Sequence, residues 1–425
     1  MKIYNLFPRL AGEFKDWDRH IERASSMGFD WIFVNPIQQP GISGSLYSIA
    51  DYFQINPQFV DKKSRKKPDR QVLETIRRNE KQWGVKFMID LVINHCAIDS
   101  AIVKKHPKWF LRDSDGKVAH PDCMEDGQQV VWYDLARFDH ERIKHDETLY
   151  QFYFDIVEHF ISLGFKGFRC DAAYQIPSFL WRRLIGGITK KYPDVIFTAE
   201  TLGCTAEQSK QTAEAGFSFI FNSSKWWDFS SPWLLEQYQS TREIVPSISF
   251  PESHDTNRLY QDSYQNAEVL KQRYFFAAIF SAGVMIPMGF EFGFQKPLHV
   301  VNSRPEDWES IAIDLTDFIR EVNLFKSKYQ VFQEEGPIHI IDHEHDAMLF
   351  FRKTTHCSRE QALVILNKDP SSKQYFAVDN LYHYVHNGEP LVDISTEYTL
   401  DFIPTPYEFE LHPGMGRVMV ATNTL

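Results

Sequence analysis

The chain has 425 residues, enough to bury a large core, and its 43% hydrophobic and 24% charged residues are ordinary for a globular protein. Its formal net charge of −11 argues against nucleic acid or an anionic membrane as a partner. The five cysteines lack paired or metal-type spacing, no apolar signal-peptide core precedes the first strand, and no apolar run is long enough to cross a membrane. These features favour a reducing cytoplasm as the location.

Strands and helices are predicted to alternate from the N-terminus to about residue 325. Continuous apolar runs indicate strands that are buried on both faces, and apolar residues at helical spacing indicate helices. The predicted strands are 3–10, 31–34, 86–92, 167–170, 195–198, 217–221, 247–250 and 284–287. The predicted helices are 17–27, 72–83, 149–163, 179–190, 269–280 and 310–325. Eight strands alternating with helices is the count of a closed (β/α)8 TIM barrel.

Two long connections and the C-terminal part depart from this alternation. Residues 38–71 and 96–140 are polar and rich in Pro, Asp and aromatic residues, as active-site loops often are. From about Gly336, short alternating strands separated by turns predict a small β-sandwich. The predicted domains are a catalytic barrel of residues 1–95 and 141–330, a short lid insertion of residues 96–140 after the third strand, and a C-terminal all-β sandwich of residues 336–425.

Polar side chains follow four of the predicted strands at the point where each strand ends. They are His95, Asp171, Glu200, and the pair His254 and Asp255. In parallel α/β architectures, ligands and chemistry collect at the carboxyl ends of the strands. Arg169, two residues before Asp171, is expected to hold that carboxyl group ionised by lowering its pKa. A structural salt bridge is the alternative for this pair alone, but four polar strand ends are better explained by a shared site.

Three carboxylates on one rim suit the chemistry of a retaining glycosidase. They repel one another, which raises the pKa of at least one of them. One ionised carboxylate can act as the nucleophile, and a protonated one can act as the acid that later becomes the base for water. The third can stabilise the oxocarbenium-like transition state. The histidines beside them are predicted to hydrogen-bond to sugar hydroxyls.

The sequence resembles the α-amylase family, glycoside hydrolase family thirteen, across the barrel and the C-terminal sandwich. Four motifs carry the resemblance, in the family's order: residues 90–95 (DLVINH), 167–173 (GFRCDAA), 198–201 (TAET) and 250–255 (FPESHD). The resemblance implies that Asp171 is the nucleophile, Glu200 the general acid/base and Asp255 the transition-state stabiliser.

The resemblance also assigns residues to substrate binding. It implies that His95, Arg169 and His254 bind the sugar at the cleavage point, and that Tyr47 is the aromatic platform under the same ring. Ser253 departs from the pattern, because hydrolases of the family usually have Asn there.

The calcium positions of the family are matched only in part. Asn94 and Asp134 match two of them, but Tyr174 and Gln175 replace a Lys-His pair that often contacts the leaving sugar and helps to bind calcium. The resemblance therefore implies no cofactor for the chemistry and leaves a structural calcium at Asn94 and Asp134 open.

Two pairs of adjacent aromatic residues are candidates for sugar stacking, with loop packing as the alternative. Trp226 and Trp227 follow the sixth strand, and Trp109 and Phe110 lie in the lid. Because adjacent residues are not expected to face one core together, at least one of each pair is expected at the surface or the rim. We predict that Trp226 and Trp227 bind substrate.

The resemblance implies a retaining enzyme that acts on α-1,4-linked glucose oligosaccharides through a covalent glycosyl-enzyme. Hydrolysis of the α-amylase type is the first expectation. A glucan transferase of the maltosyltransferase or 4-α-glucanotransferase kind is the alternative, motivated by the short lid, by Tyr174 and Gln175, and by the stretch 106–110 (HPKWF). A non-catalytic amylase-like binding module is a third hypothesis. The expected partner is an α-glucan oligosaccharide, without nucleic acid or membrane, and the sequence does not indicate the oligomeric state.

Overall fold

Eight parallel strands close into a barrel in the computed structural model, which describes residues 1–125, 128–385 and 390–422. The barrel strands β1 to β8 are Lys2–Leu6, Trp31–Val34, Lys86–Leu91, Gly167–Cys170, Ile196–Ala199, Phe219–Phe221, Ser247–Ser249 and Gly283–Pro287. Each strand pairs with its neighbours in the chain, and β8 closes the ring on β1. The predicted (β/α)8 barrel is confirmed.

One helix of at least eight residues follows each barrel strand. Helices α1 to α8 are Asp18–Ser26, Pro68–Trp83, Glu147–Ser162, Ser178–Lys191, Ala206–Ala213, Trp233–Thr241, Ala267–Phe280 and Thr316–Lys328. The sequence did not predict α5 and α6. Helix α5 (AEQSKQTA) has almost no apolar stripe, and its start is fixed by a capping box between Thr205 and Gln208.

Alternating side chains of the barrel strands fill two separate layers. Phe33, Met88 and Met285 point into the barrel, whereas Ile32 and Ile89 pack outward against the helices. Both layers are fully buried, which explains why these strands read as continuous apolar runs. The predicted first strand is too long, because Pro8 begins a short helix, Pro8–Ala11, after β1 ends at Leu6.

The two long connections contain regular structure of their own. The connection after β2 folds into the antiparallel strands Gln38–Pro40 and Ile49–Ile55. The lid contains the strand pairs His95–Ala97 with Leu135–Arg137, and Asp122–Glu125 with Gln128–Val131, as well as the helix Ala101–Lys105. Two predicted domain ranges, 96–140 and 336–425, include residues outside the described part of the chain, and the domain boundaries stay predictions.

The C-terminal part is all β, as predicted. Five antiparallel strands form one sheet in the order Ile338–Ile340, Met348–Thr354, Glu360–Asn367, Gly416–Thr422 and Leu391–Asp393. A second sheet pairs Gln374–Val378 with Tyr407–Leu411. Their facing side chains form a separate buried cluster that includes Phe350, Leu363 and Phe376.

Three buried ionisable residues bind backbone groups at the end of the barrel opposite the carboxyl ends of the strands, and one of them, Lys353, comes from the C-terminal sheet. Lys326 donates to the backbone oxygens of Ala278, Ser281 and Phe332 at 2.6 to 2.7 Å, and Lys353 donates to those of Ile279 and Phe280 at 3.2 and 2.8 Å. Glu335 accepts from the backbone N–H groups of Ser247 and Ala282 at 3.1 and 2.8 Å. The bonds of the two lysines satisfy carbonyl oxygens at the end of α7 that no helical N–H reaches. Among the described residues, no helix is long and apolar enough to span a membrane.

Candidate active site

Arg169, at the end of β4, is the centre of a cluster of four carboxylates at the carboxyl end of the barrel. Its Nη1 lies 2.9 and 2.8 Å from the two carboxylate oxygens of Asp90 and 3.2 Å from Oδ1 of Asp171. Its Nη2 lies 3.1 Å from Oε2 of Glu200 and 3.7 Å from Oδ2 of Asp255. The structure therefore brings the three predicted carboxylates together around one buried guanidinium.

Asp171 and Glu200 stand side by side because their strands are neighbours. Strands β4 and β5 pair in parallel, so the residues that follow them reach the same level. Ala172 has φ 43°, in the left-handed region that non-glycine residues rarely adopt, and its N–H donates to Oε2 of Glu200 at 2.8 Å. A strained backbone at a strand end is typical of functional sites, and here it supplies a donor to the Glu200 carboxyl group.

The surroundings raise the pKa values of two of the three carboxyl groups and lower that of the third. Burial, with repulsion from Glu200 and Asp90, raises the pKa of Asp171 well above its ordinary 3.8. Burial also raises the pKa of Glu200 above 4.5, against the attraction of Arg169. Burial acts in the same direction on Asp255, but the adjacent His254 and then Arg169 outweigh it and lower the pKa of Asp255 to about 2.

The expectation that Arg169 lowers the pKa of Asp171 below its ordinary value is therefore wrong. Arg169 does favour the ionised form, but its charge is shared with Asp90, which it binds through both carboxylate oxygens, and with Glu200. One guanidinium cannot compensate four carboxylates in a buried site, so Asp171 and Glu200 together retain a proton more readily than isolated carboxyl groups do.

Tyr47 and His254 form the wall beside this cluster. The Tyr47 hydroxyl donates to Asp90 at 2.6 Å and accepts from Asn35 at 2.9 Å. Nε2 of His254 lies 2.6 Å from the same hydroxyl and 3.1 Å from Oδ2 of Asp255. Because the Tyr47 proton is directed to Asp90, Nε2 of His254 is the donor in both contacts. The two rings are parallel within 4°, with centroids 5.7 Å apart.

A cavity of about 670 Å³ opens above these groups. Its lining includes most of the residues predicted from the sequence: Tyr47, Asn94, His95, Asp134, Asp171, Glu200, Trp226 and Asp255. Neither ring nitrogen of His95 has a hydrogen-bond partner of ordinary geometry among the described residues. Burial, opposed in part by the Tyr47 backbone, lowers the pKa of His95 to about 4. A neutral imidazole that faces the cavity is suited to hydrogen-bond to an incoming ligand.

The two tryptophans after β6 have different surroundings. Trp226 lines the cavity and is 52% exposed, which fits a rim position. Trp227 is only 2% exposed and packs against Phe276 and Phe229 in the core, so its predicted role in sugar binding is wrong. The turn Ser224–Trp226 rotates the chain between the two residues, and this sends adjacent rings in opposite directions.

The aromatic pair of the lid is wholly buried, contrary to the expectation that one member would be exposed. Trp109 stacks on His106 at a centroid distance of 4.0 Å, and Phe110 stacks on Phe138 at 4.8 Å. Trp109 also packs against Phe152 of α3 at a centroid distance of 5.2 Å, so each of the two rings has its own aromatic partner.

The residues predicted for calcium do not form one site. In the pairing of His95–Ala97 with Leu135–Arg137, Asn94 and Asp134 precede opposite ends of the antiparallel ladder, which separates them by about 13 Å of strand. Asn94 donates to Oε1 of Gln175 at 2.9 Å and keeps one unpartnered oxygen, whereas calcium takes six to eight oxygen ligands. The described residues include no cluster of three or more His, Cys, Asp or Glu side chains that could hold a metal ion.

Two residues of the site were missed from the sequence. Asp90 binds Arg169 through both carboxylate oxygens and accepts from Tyr47, although it is only 1% exposed. A charged residue inside the apolar run 86–91 was the signal that could have identified it. Trp132 of the lid lines the cavity and is 37% exposed, but no pattern in the surrounding residues marked it.

The barrel and its rim of carboxylates place the chain in the class of (β/α)8 enzymes, and comparisons with known proteins narrow this class. Residues 1–111 match the profile of a family described as glycogen debranching enzyme, glucanotransferase domain. An α-1,4-glucan:maltose-1-phosphate maltosyltransferase from Burkholderia pseudomallei is 23% identical over 79% of this chain and 30% of its own length. The enzyme of the same name from Myxococcus xanthus is 23% identical over 87% of this chain and 59% of its own length.

Solved structures share the fold over nearly the whole chain. A maltogenic α-amylase, AmyB, from Thermotoga neapolitana has a TM-score of 0.77 at 19% identity, and covers 99% of this chain and 98% of its own. An α-amylase from Geobacillus thermoleovorans, solved with acarbose, has a TM-score of 0.78 at 16% identity and covers 100% and 98% of the two chains.

These comparisons confirm the resemblance to the α-amylase family that the four motifs carry, and the two curated relatives described above are named as maltosyltransferases. The chain spans 30% of the length of the first of these maltosyltransferases and 59% of the length of the second.

Proposed function

We propose that the chain is a retaining transglycosylase that moves α-1,4-linked glucosyl segments from a donor glucan to a sugar hydroxyl. The observation that carries the proposal is the convergence of Asp171, Glu200 and Asp255 on Arg169 at the floor of the cavity. The three carboxylates occupy the ends of β4, β5 and β7, where the α-amylase family motifs lie in the sequence.

Each carboxyl group has a role that follows from its surroundings. Asp171 attacks the anomeric carbon, and the bond from that carbon to the leaving oxygen breaks as Glu200 gives its proton to that oxygen. Glu200 then removes the proton of the acceptor hydroxyl, whose oxygen displaces Asp171 from the anomeric carbon. Asp255, which stays ionised because of its low pKa, stabilises the positive charge that develops on the sugar in both steps.

The raised pKa values supply the proton that the first step needs. Asp171 and Glu200 both titrate above ordinary carboxyl groups, and Arg169 contacts both, so one proton is held by the pair. Donor binding is expected to place this proton on Glu200, because attack requires an ionised Asp171.

The sugar at the cleavage point is held by the wall opposite Glu200. Tyr47 offers a ring face fixed by three hydrogen bonds to its hydroxyl, and the imidazole of His95 lines the cavity and can bond to sugar hydroxyls. Arg169 and His254 act mainly by fixing Asp171 and Asp255, since both are almost fully buried beneath the cavity.

Transfer is favoured over the hydrolysis that was the first expectation. The matching profile describes a glucanotransferase domain, and the curated relatives are named as maltosyltransferases. Within the chain, Trp226 and Trp132 expose apolar rings in the cavity that contains Glu200, where an acceptor sugar could stack and displace water.

Incubation with maltoheptaose tests the choice between transfer and hydrolysis. Transfer predicts products both shorter and longer than the substrate, with a constant number of reducing ends. Shorter chains with rising reducing ends would show that water is the acceptor and would return the assignment to a hydrolase.

Loss of the nucleophile tests whether the chain is catalytic at all. The Asp171→Asn variant is expected to lose at least about 10⁴-fold in rate, because the covalent step has no substitute. Unchanged activity in that variant would place the chemistry at a different site, whereas binding of glucan without any turnover by the wild type would favour the binding-module hypothesis.

A further inference from the structure

We infer, resting on the proposed function, that the donor is an uncharged α-glucan and that the site rejects glycosyl phosphates, in contrast to the donor for which the maltosyltransferase relatives are named. The observation is the charge of the cavity. Four carboxylates line it, namely Asp134, Asp171, Glu200 and Asp255, and no Lys or Arg is among its described lining residues.

The leaving group of any donor must lie beside Glu200, because this residue protonates the leaving oxygen. The lining includes Leu202 and Gly203, which follow Glu200 in the chain, Tyr174 and Gln175, which follow Asp171, and Trp226 at the rim. A hydroxyl, an amide and apolar surface suit a neutral sugar. A phosphate group carries about −1.5 to −2 charges at neutral pH and requires cationic or clustered N–H donors.

No cation near the cavity belongs to its described lining. Arg169 contacts Asp90, Asp171 and Glu200 and is almost fully buried. Lys225 is half-buried, with Nζ 5.9 Å from the centre of the Trp226 ring, and lies outside the described lining. The residues outside the described ranges, 126–127, 386–389 and 423–425, contain no Lys or Arg in the sequence, so they add no such cation.

The nearest helix start does not reach the described lining of the cavity. Helix α5 begins at Ala206, three residues after Gly203, and a helix start can bind phosphate through its first N–H groups. Its capping box uses the N–H groups of Gln208 and Thr205, which donate to Thr205 Oγ1 at 3.2 Å and Gln208 Oε1 at 2.9 Å, and Ala206 is not among the described lining residues.

A pair of donors that share the same sugar tests the inference. Initial rates are measured for α-maltose 1-phosphate, from phosphate release, and for 4-nitrophenyl α-maltoside, from nitrophenol release, with maltohexaose as the acceptor in both. We expect kcat/KM for the phosphate donor to be lower by about 100-fold or more, the size of a like-charge mismatch of several kcal/mol. Comparable kcat/KM values for the two donors would overturn the inference.

A charge-adding variant tests the physical reason. Leu202 is half-buried in the lining near Glu200, so Leu202→Lys adds a cation there, while Leu202→Met keeps an apolar side chain of similar size. The ratio of phosphate-donor to nitrophenyl-donor kcat/KM should rise about tenfold in the Lys variant and stay unchanged in the Met variant. A ratio that does not respond to the added charge would refute the electrostatic explanation.

Binding distinguishes failure of this inference from failure of the proposed function. Calorimetric titration with maltose and with α-maltose 1-phosphate needs no turnover. Binding of the phosphate no tighter than that of maltose supports the inference even if neither donor reacts. Tighter binding of the phosphate overturns the inference while leaving a transglycosylase intact. Absence of any transfer from neutral glucans refutes the proposed function and the donor assignment with it, but not the discrimination against glycosyl phosphates.

Discussion

Replacing Asp171 by Asn should stabilise the folded protein while abolishing activity. Asp171 is 14% exposed, lies within the carboxylate cluster, and has its pKa raised by burial and by repulsion from Glu200 and Asp90. A carboxyl group that ionises near 3.8 in the unfolded chain but at higher pH in the folded one lowers folded-state stability as the pH rises above about 4. Asn keeps the shape and removes the charge.

The expected gain in folding stability is the difference between the attraction that is lost and the repulsion that is relieved. Asn loses the attraction of Arg169 Nη1 at 3.2 Å, but Arg169 remains bound to Asp90 at 2.8 and 2.9 Å and to Glu200 at 3.1 Å. The repulsion among the carboxylates and the burial of one charge are relieved in return. Neutralising such active-site charges commonly adds about 1 kcal/mol, which for a chain of this size raises Tm by about 1 °C.

Scanning calorimetry of the wild type and the Asn variant at pH 7 and at pH 4 measures the effect. The Tm difference should be positive at pH 7 and shrink toward zero at pH 4, where the wild-type carboxyl group is protonated. Asp255→Asn is the matched control, because its pKa is lowered to about 2 by attraction that outweighs burial, and its loss should leave Tm unchanged or lower. A Tm of Asp171→Asn below the wild type at pH 7 would refute the reasoning about the cluster.

Three further predictions concern the proton of Glu200, the two tryptophans after β6, and calcium at Asn94 and Asp134. The transfer rate should fall on the alkaline side as Glu200 loses its proton, at a pH above its ordinary pKa of 4.5, and a rate that is flat to the limit of stability would contradict that role. Trp226→Ala should raise KM for acceptor glucans with little change in Tm, whereas Trp227→Ala should cost about 3–5 kcal/mol of stability as a core truncation; equal effects of the two on Tm would contradict their placement. Chelation with EDTA should leave Tm unchanged, because Asn94 and Asp134 lie at opposite ends of a strand pair, and a fall that calcium reverses would show a site there.

The barrel could be predicted from the sequence because each of its strands is buried on both faces, and such a strand appears in the sequence as a short apolar run. Strands β2 and β4 have the predicted bounds, Trp31–Val34 and Gly167–Cys170. Helix α5 and the strands of the lid were not predicted, since neither carries an apolar period; the helix is fixed by its cap and the strands by pairing with distant segments.

The charged residues at strand ends could be predicted, but their electrostatics could not. Sequence spacing indicates that Arg169 and Asp171 are neighbours, yet the pKa of Asp171 depends on how many other carboxylates share the same guanidinium, and Asp90 comes from a different strand. The same limit applies to Trp226 and Trp227, whose surroundings depend on a single turn.

Lys353 ties the C-terminal sheet to the barrel through the carbonyl oxygens of Ile279 and Phe280 at the end of α7. A chain cut before the sheet would keep Glu335 but lose Lys353, and would leave the carbonyl oxygens of Ile279 and Phe280 without their donor in an apolar contact. The barrel and the sheet are therefore expected to be exchanged only as a unit in any recombined or shortened version of the protein. Insertions are expected to be tolerated better at the rim, where the lid is already one, than at the contact between α7 and the sheet.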